Sequence, residues 1–318
     1  MKIGFDIMGG DYAPKEAIAG ALLALKELNS DDRIVLIGDT EQAHNLLDSS
    51  GGNSDQFEFI HTTEVIGMGE HPTKAISQKK DSSIVVGFRM LANKKLDAFV
   101  SAGNTGAMLV GSMFSVKPIE GVIRPAISAT IPKPNGKFVL GLDMGANADC
   151  KPDVLYQFAL LGSLTMKHVF GIADPRVGLL SNGEEKGKGS LVTISAHQLM
   201  EESNAFHFIG NVEGRDFMSD KADVIVCEGF TGNVVLKAFE SFFHVMRKRG
   251  IKDDYLEACN YENFGGMPIL GVNAPVLIGH GISSAKAFKN MILGARDVVN
   301  SNLCNIVREQ FQNLVPVQ

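Results

Sequence analysis

The four cysteines, Cys150, Cys227, Cys259 and Cys304, lie far apart in a chain of 318 residues. No CxxC pair and no Cys/His ligand spacing joins them, which argues against a disulfide framework or a structural zinc site and for reduced thiols. No apolar run approaches the ~18 residues of a membrane span. The opening MKIGFDIMGGD has only a short apolar stretch, broken by Asp6, and no small-residue cleavage site follows. It reads as a buried strand entering a glycine loop, not as an export signal, and a cytoplasmic location is expected. Positive charge is not in excess either. The net charge is −6, so broad electrostatic capture of nucleic acid is disfavoured and no nucleic-acid partner is expected. Low-complexity linkers, fixed-period repeats, HExxH, histidine pairs at i, i+4 and a G-x-G-x-x-G after a strand are all missing.

Glycine is abundant. There are 34, about one residue in nine, against ~7% in average proteins. Eight mostly apolar segments each run into a small polar, glycine-bearing loop: Lys2–Ile7, Arg33–Ile37, Asp97–Ser101, Phe138–Asp143, Arg176–Leu180, Phe206–Ile209, Asp223–Cys227 and Pro275–Ile278. Continuous apolar runs of this length suit strands covered on both faces. Helical periodicity lies between them. Ile18, Ala21, Leu22 and Leu25 follow Pro14 at i, i+3, i+4, i+7; Ile84, Val85, Phe88, Leu91 and Ala92 repeat the spacing; Leu155, Phe158 and Gly162 follow Pro152. A long helix is expected over 283–310. The alternation predicts βαβ units, a mainly parallel sheet and helices on both faces, read as one α/β/α domain over 1–318. In such a sheet the loops after the strands share one edge, where ligands bind.

Two of those loops, Gly103–Gly106 and Gly229–Asn233, suit an anion such as phosphate, or simply cap helices. Gly183–Ser190 is a near miss for a P-loop; its Lys186 and Lys188 reach a phosphate or stand in solvent as plain surface lysines. Ser283 sits in an incomplete nucleophile elbow or caps a helix, and Cys150 is an acyl carrier or a small structural residue. His280, between two glycines at a strand end, is an acid, base or oxyanion donor, or a structural histidine. Asp6, Asp11, Asp143 and Asp149 at strand ends suit Mg²⁺ or loop bracing. Phe239, Phe242, Phe243 and Met246, followed by Arg247-Lys248-Arg249, form an apolar stripe ending in cations, fit for an interface or for a core helix.

The motifs MGGDYAP (8–14), SAGNTGA (101–107), RPA (124–126), LDMGAN (142–147) with KP (151–152), PRVGLLSNGEE (175–185) with KG (188–189), IGNVEGRD (209–216), EGFTGNVVLK (228–237) and APVLIGHG (274–281) stand in order across nearly the whole chain. This set resembles the PlsX family, the bacterial phosphate acyltransferases of phospholipid synthesis. The resemblance implies a three-layer α/β/α sandwich like isopropylmalate dehydrogenase and phosphotransacetylase. It implies a homodimer with no cofactor and no metal, cytoplasmic and peripheral at the inner face of the cytoplasmic membrane. It implies transfer of a fatty acyl group from acyl carrier protein to inorganic phosphate, giving acyl phosphate that a membrane acyltransferase passes to glycerol 3-phosphate.

In that chemistry phosphate is itself the nucleophile. What the protein must supply is a cation and fixed N–H dipoles. Lys188 is expected as the cation, with Asn233 and the Thr231–Gly232 backbone holding phosphate or the oxyanion. Gly103, Asn104, Thr105 and Gly106 form a second anion loop, His280 is a further donor, and Gly10, Asp11 and Asn147 brace the loops. Three departures from the family pattern stand out. Ile7 replaces an alanine, Ser77 and Gln78 stand where arginines are usual, and the region 238–264 is a shortened dimer-tip or interfacial helical segment. Rival readings are an acyl-CoA-dependent, phosphotransacetylase-like enzyme, a non-catalytic scaffold, and a nicotinamide dehydrogenase that lacks its nucleotide signature.

Overall fold

The computed structural model describes residues 1–313. The chain forms two compact units, Met1–Pro118 with Tyr261–Asn300, and Ile119–Asn260 with the chain from Ser301 onward. The first unit opens with β1 (Lys2–Asp6), α1 (Lys15–Leu25), β2 (Arg33–Gly38), α2 (Thr40–Ser49), β3 (Phe57–His61), α3 (Pro72–Gln78), α4 (Ser83–Ala92), β4 (Ala98–Ser101) and α5 (Thr105–Gly111). The second holds β5 (Ala126–Pro132), β6 (Phe138–Leu142), α6 (Pro152–His168), β7 (Arg176–Leu180), α7 (Leu191–Glu201), β8 (His207–Val212), β9 (Val224–Val226), α8 (Gly229–Lys248) and α9 (Asp254–Ala258). The chain then returns to the first unit as β10 (Gly266–Leu270), β11 (Val276–Gly279) and α10 (Ala285–Asn300), and ends in the second with α11 (Leu303–Gln312).

In the first unit the strands run β3-β2-β1-β4-β11-β10, parallel except for β10. The order reverses direction at β1/β4, the switch point where open α/β sheets leave a crevice. Helices α1 and α10 cover β1. Ala17, Ile18, Ala21 and Ala24 join Phe288, Met291, Ile292 and Ala295 in one buried cluster with Ile3 and Phe5. Gly20 permits that approach, since a Cβ there would lie 2.4 Å from the Phe288 Cβ.

In the second unit the order is β5-β6-β9-β7-β8, with β5 antiparallel and the rest parallel. α6 starts on Pro152 and buries ten residues. Its Gly162 lies so close to β9 that a Cβ would meet Val224 Cγ1 at 2.5 Å.

All eight strand segments read from the sequence are strands, seven of them within one residue at each end; the eighth, Phe206–Ile209, runs three residues further, to Val212. β3, β5 and β10 are additional, and two of them are the antiparallel ones. The helix expected over 283–310 is interrupted. Asn302 adopts a left-handed conformation (φ +55°) between α10 and α11, so the axis restarts there. In the region 238–264, α8 continues to Lys248, followed by the short α9 and a 3₁₀ turn at Tyr261–Asn263. Among the described residues no helix is long and apolar enough to cross a membrane.

Candidate active site

Parallel neighbours place their carboxyl ends on one edge, with strands ~4.8 Å apart. In the second unit, β6, β9 and β7 bring together the loops 143–151, 227–233 and 181–190. In the first unit, β1, β4 and β11 do the same for 7–14, 102–106 and 280–284.

Asp143 organises the second unit's edge. Its Oδ1 accepts N–H bonds from Ile127 (3.0 Å), Gly145 (3.2 Å) and Ala146 (3.0 Å), and its Oδ2 from the backbone (2.6 Å) and side chain (2.8 Å) of Asn147. Burial pushes this carboxyl up, while the N–H donors pull it back toward the ionised form. Asn147 also donates to Pro125 O at 2.8 Å and accepts from Gly229 N at 2.7 Å, so the Asp143 loop fixes the entry to α8. A Cβ on Gly232 would lie 1.9 Å from Asp143 O, so that position tolerates only glycine.

The first turn of α8 is already engaged. Glu228 caps it, accepting from Thr231 N at 3.0 Å and from the Thr231 hydroxyl, and Gly232 N donates to Glu228 O at 3.0 Å. The Thr231–Gly232 amides assigned from sequence to an oxyanion are therefore bonded within the protein. A carboxylate occupies the positive end of the helix. Asn233 is different. It is exposed, its Oδ1 would stand 3.5 Å from a Cβ on Gly145, and its amide makes no hydrogen bond among the described residues.

Lys188 lies on the loop after β7, the strand beside β9. Its side chain is exposed and has no ion-pair partner among the described residues. Its stem lies over Gly183, where a Cβ would meet Lys188 Cγ at 2.9 Å. Lys186, the other lysine of this loop, is tied to Glu201. Ser181, the first residue of the loop, has a buried hydroxyl with no hydrogen-bond partner among the described residues, an unused donor that the sequence did not single out.

The first unit's edge is braced differently. Buried Asp6 accepts from Ser101 Oγ (2.6 Å) and Met8 N (2.9 Å), and Ser101 Oγ accepts from Gly103 N (3.0 Å). Burial raises the Asp6 carboxyl. Asp11 N donates to Gly281 O at 2.7 Å, joining the β1 and β11 loops. Gly10 turns there with φ +108°. Asn104 is buried. Its Nδ2 lies 3.0–3.1 Å from the carbonyls of Gly67, Met68 and Glu70, and its Oδ1 caps Ala107 N at 2.9 Å. Thr105 is exposed and Gly106 packs on Pro72. His280 is half-buried and inclined to Tyr261, with ring centroids 5.4 Å apart.

The side-chain nucleophiles considered from sequence are blocked. Ser283 is buried and its hydroxyl donates to His280 O at 2.5 Å. Burial, with nearby Asp143, pushes the Cys150 thiol up to about 12, and buried Cys227 rises well above its ordinary value. Among the described residues no group of three or more His, Cys, Asp or Glu side chains is arranged to hold a metal ion. The carboxylates of Asp6 and Asp143 are committed to the N–H and O–H donors above.

Comparison with known proteins gives a family and a fold. A family model described as "Fatty acid synthesis protein" matches residues 1–306. A phosphate acyltransferase from Pelotomaculum thermopropionicum is 42% identical over 333 residues, covering 99% of this chain and 96% of the relative. One from Syntrophomonas wolfei is 42% identical over 319 residues, covering 99% of each. Among solved structures, a phosphotransacetylase from Streptococcus pyogenes matches with a TM-score of 0.66 at 17% identity, covering 94% of each chain. At that identity the likeness establishes the fold alone, which is the mainly parallel α/β class expected from the sequence.

Proposed function

The chain belongs to the Fatty acid synthesis protein family, and from that premise we propose that it is a phosphate acyltransferase. It moves a fatty acyl group from acyl carrier protein to inorganic phosphate and releases acyl phosphate. One observation carries the reading. Lys188 and Asn233 follow the neighbouring parallel strands β7 and β9, and both side chains are exposed and unengaged among the described residues.

A phosphate oxygen attacks the thioester carbonyl carbon. The carbonyl π pair moves onto oxygen, and collapse of that oxyanion expels the thiolate, which takes its proton from solvent. The thiolate is a fair leaving group, with a thiol pKa of ~8.5, so a strong general acid is dispensable. Lys188 neutralises the incoming phosphate, and the Asn233 amide donates to phosphate or to the oxyanion. Such groups are worth several kcal/mol when fixed before reaction. Glu228 at the head of α8 repels an anion from the first-turn amides, so we assign phosphate to these two side chains. Thr231, Gly232 and Asn147 set the shape of the turn that carries Asn233. Gly10, Asp11, Gly103–Gly106 and His280 form the first unit's substrate-holding edge, with Asn104 maintaining its loop.

The same reading includes a homodimer, an acidic carrier-protein partner and a peripheral membrane station near the enzyme that consumes acyl phosphate. Phe230, Val234, Phe242 and Val245 on α8 are exposed apolar residues that a second copy or a membrane would cover. Arg247-Lys248-Arg249 at its end suit an acidic partner.

The test is phosphate-dependent thiol release from long-chain acyl carrier protein, with acyl phosphate trapped by hydroxylamine. Turnover with the carrier-protein donor and a ~10²-fold lower kcat in Lys188→Ala are expected. Turnover only with acyl-CoA replaces the donor. Binding without turnover, or release independent of phosphate, overturns the reading.

A further inference from the structure

The loop that carries Lys188 contains Gly183, Gly187 and Gly189, so its own backbone does little to fix its shape. Its charged contacts, Lys186 with Glu201 and Glu184 with Lys221 and Arg215, lie at the surface, where ion pairs are weak. Packing does not hold it fully either. Glu184 and Lys186 face a cavity of about 610 Å³.

One anchor runs from the exposed loop to buried side chains. Glu185 O accepts Lys188 N at 3.0 Å and Asn211 Nδ2 at 2.9 Å, so a single carbonyl joins the lysine's backbone to β8. Asn211 is 3% exposed. Because its Nδ2 is spent on Glu185, its Oδ1 faces His197 Nδ1 at 2.8 Å, and that nitrogen must carry the proton. His197 is 4% exposed and stands edge-on to Phe208, with centroids 5.1 Å apart. His197 thus orients the amide, the amide holds the carbonyl, and the carbonyl holds the turn at Lys188.

We propose that the buried His197–Asn211 pair is a positioning device for Lys188, fixing through the Glu185 carbonyl the loop conformation that presents the ammonium group. The inference rests on the functional reading above. Neither residue touches substrate in this scheme. A misplacement of the cation by a fraction of an ångström is enough to slow the reaction measurably.

The experiment is a double-mutant cycle between His197→Phe and Lys188→Ala, with kcat/KM for phosphate and thermal unfolding measured on each purified variant. His197→Phe keeps a ring but loses the Nδ1 donor. His197→Asn puts an amide N–H in its place. The expected result is a ~10-fold loss in His197→Phe, recovery of most of the rate in His197→Asn, and no added loss from His197→Phe in the Lys188→Ala background. Equal losses in both backgrounds mean the pair acts independently of Lys188 and overturn the inference, as does a parental rate in His197→Phe. A parental rate in Lys188→Ala removes the functional reading and the inference with it. If His197→Phe does not fold, Asn211→Asp, which replaces the donor facing Glu185 with an acceptor of equal size, enters the same cycle with the same criteria.

Discussion

The loops Gly103–Gly106 and Gly229–Asn233 use almost the same residues, yet the fold employs their asparagines in opposite ways. Asn104 is buried, with both ends of its amide bonded to backbone, three carbonyls on one side and Ala107 N on the other. Asn233 is exposed, with its amide uncommitted among the described residues. Composition alone marks both as anion loops. What separates them is where the donors already go, because a buried amide whose bonds are made has little left to offer a ligand. The aspartates beneath show the converse. Asp6 ends β1 and Asp143 directly follows β6; both are buried, and both tie down the loop that follows.

The comparison breaks most visibly by truncating each asparagine. Asn233→Ala is expected to lower kcat by ~10²-fold while changing unfolding stability by less than about 0.5 kcal/mol. Asn104→Ala is expected to cost about 2 kcal/mol of stability, since it leaves a buried N–H and several carbonyls unpaired. Parallel assays of turnover and denaturant unfolding decide. A catalytic loss in Asn104→Ala with unchanged stability, or the reverse pattern in Asn233→Ala, would exchange the roles.

Acid sharpens a second contrast. Burial alone would raise the Asp223 carboxyl, but the Arg176 guanidinium, at 2.9 and 3.0 Å, and the Arg176 backbone N–H hold it below the usual carboxylate range. A depressed carboxyl stabilises the folded state above its unfolded pKa of ~3.9, and that contribution is lost as pH falls through the folded value. Asp6 and Asp143 are shifted upward and have the opposite sign, so they do not create this acid limb. Asp223→Asn is therefore expected to be less stable than the parent by about 1–2 kcal/mol near pH 7. The two curves should converge below about pH 4. Unfolding midpoints measured from pH 7 to pH 3 test this, and a constant gap across that range would refute it.

Much of this was legible in the sequence because continuous apolar runs ending in glycine loops have few alternative folds. β1, β2, β4, β7 and β11 all carry that signature. β3, β5 and β10 do not. β5 and β10 contain Pro132 and Pro268, which argue against a strand until antiparallel partners are known. The break at Asn302 depends on a left-handed residue that helical periodicity does not reveal. At the edge of the second unit, Lys188 and Asn233 were legible as residue types on strand-end loops. Their freedom, and the capture of the α8 amides by Glu228, were not, since both depend on partners brought in by tertiary structure. His197 left no local signal at all. Its role depends on Asn211, fourteen residues away, whose amide is oriented by a third segment.

The smallest expected effect bears on the route of acyl transfer. Cys150 lies near the end of the loop 143–151, its Sγ 3.8 Å from Asn147 O, close enough to the candidate site to raise the question of an acyl-enzyme. Burial first, and then the Asp143 charge, push its thiol up to about 12. At neutral pH the thiolate needed for attack is therefore scarce by orders of magnitude. Direct attack by phosphate needs no such group. Cys150→Ser, which preserves size to within one atom, is expected to change kcat by less than ~3-fold. If that variant folds normally but loses most of its turnover, and acyl label is retained on the parent protein in the absence of phosphate, the reaction runs through a covalent intermediate. Lys188 and Asn233 would then act on a different oxyanion.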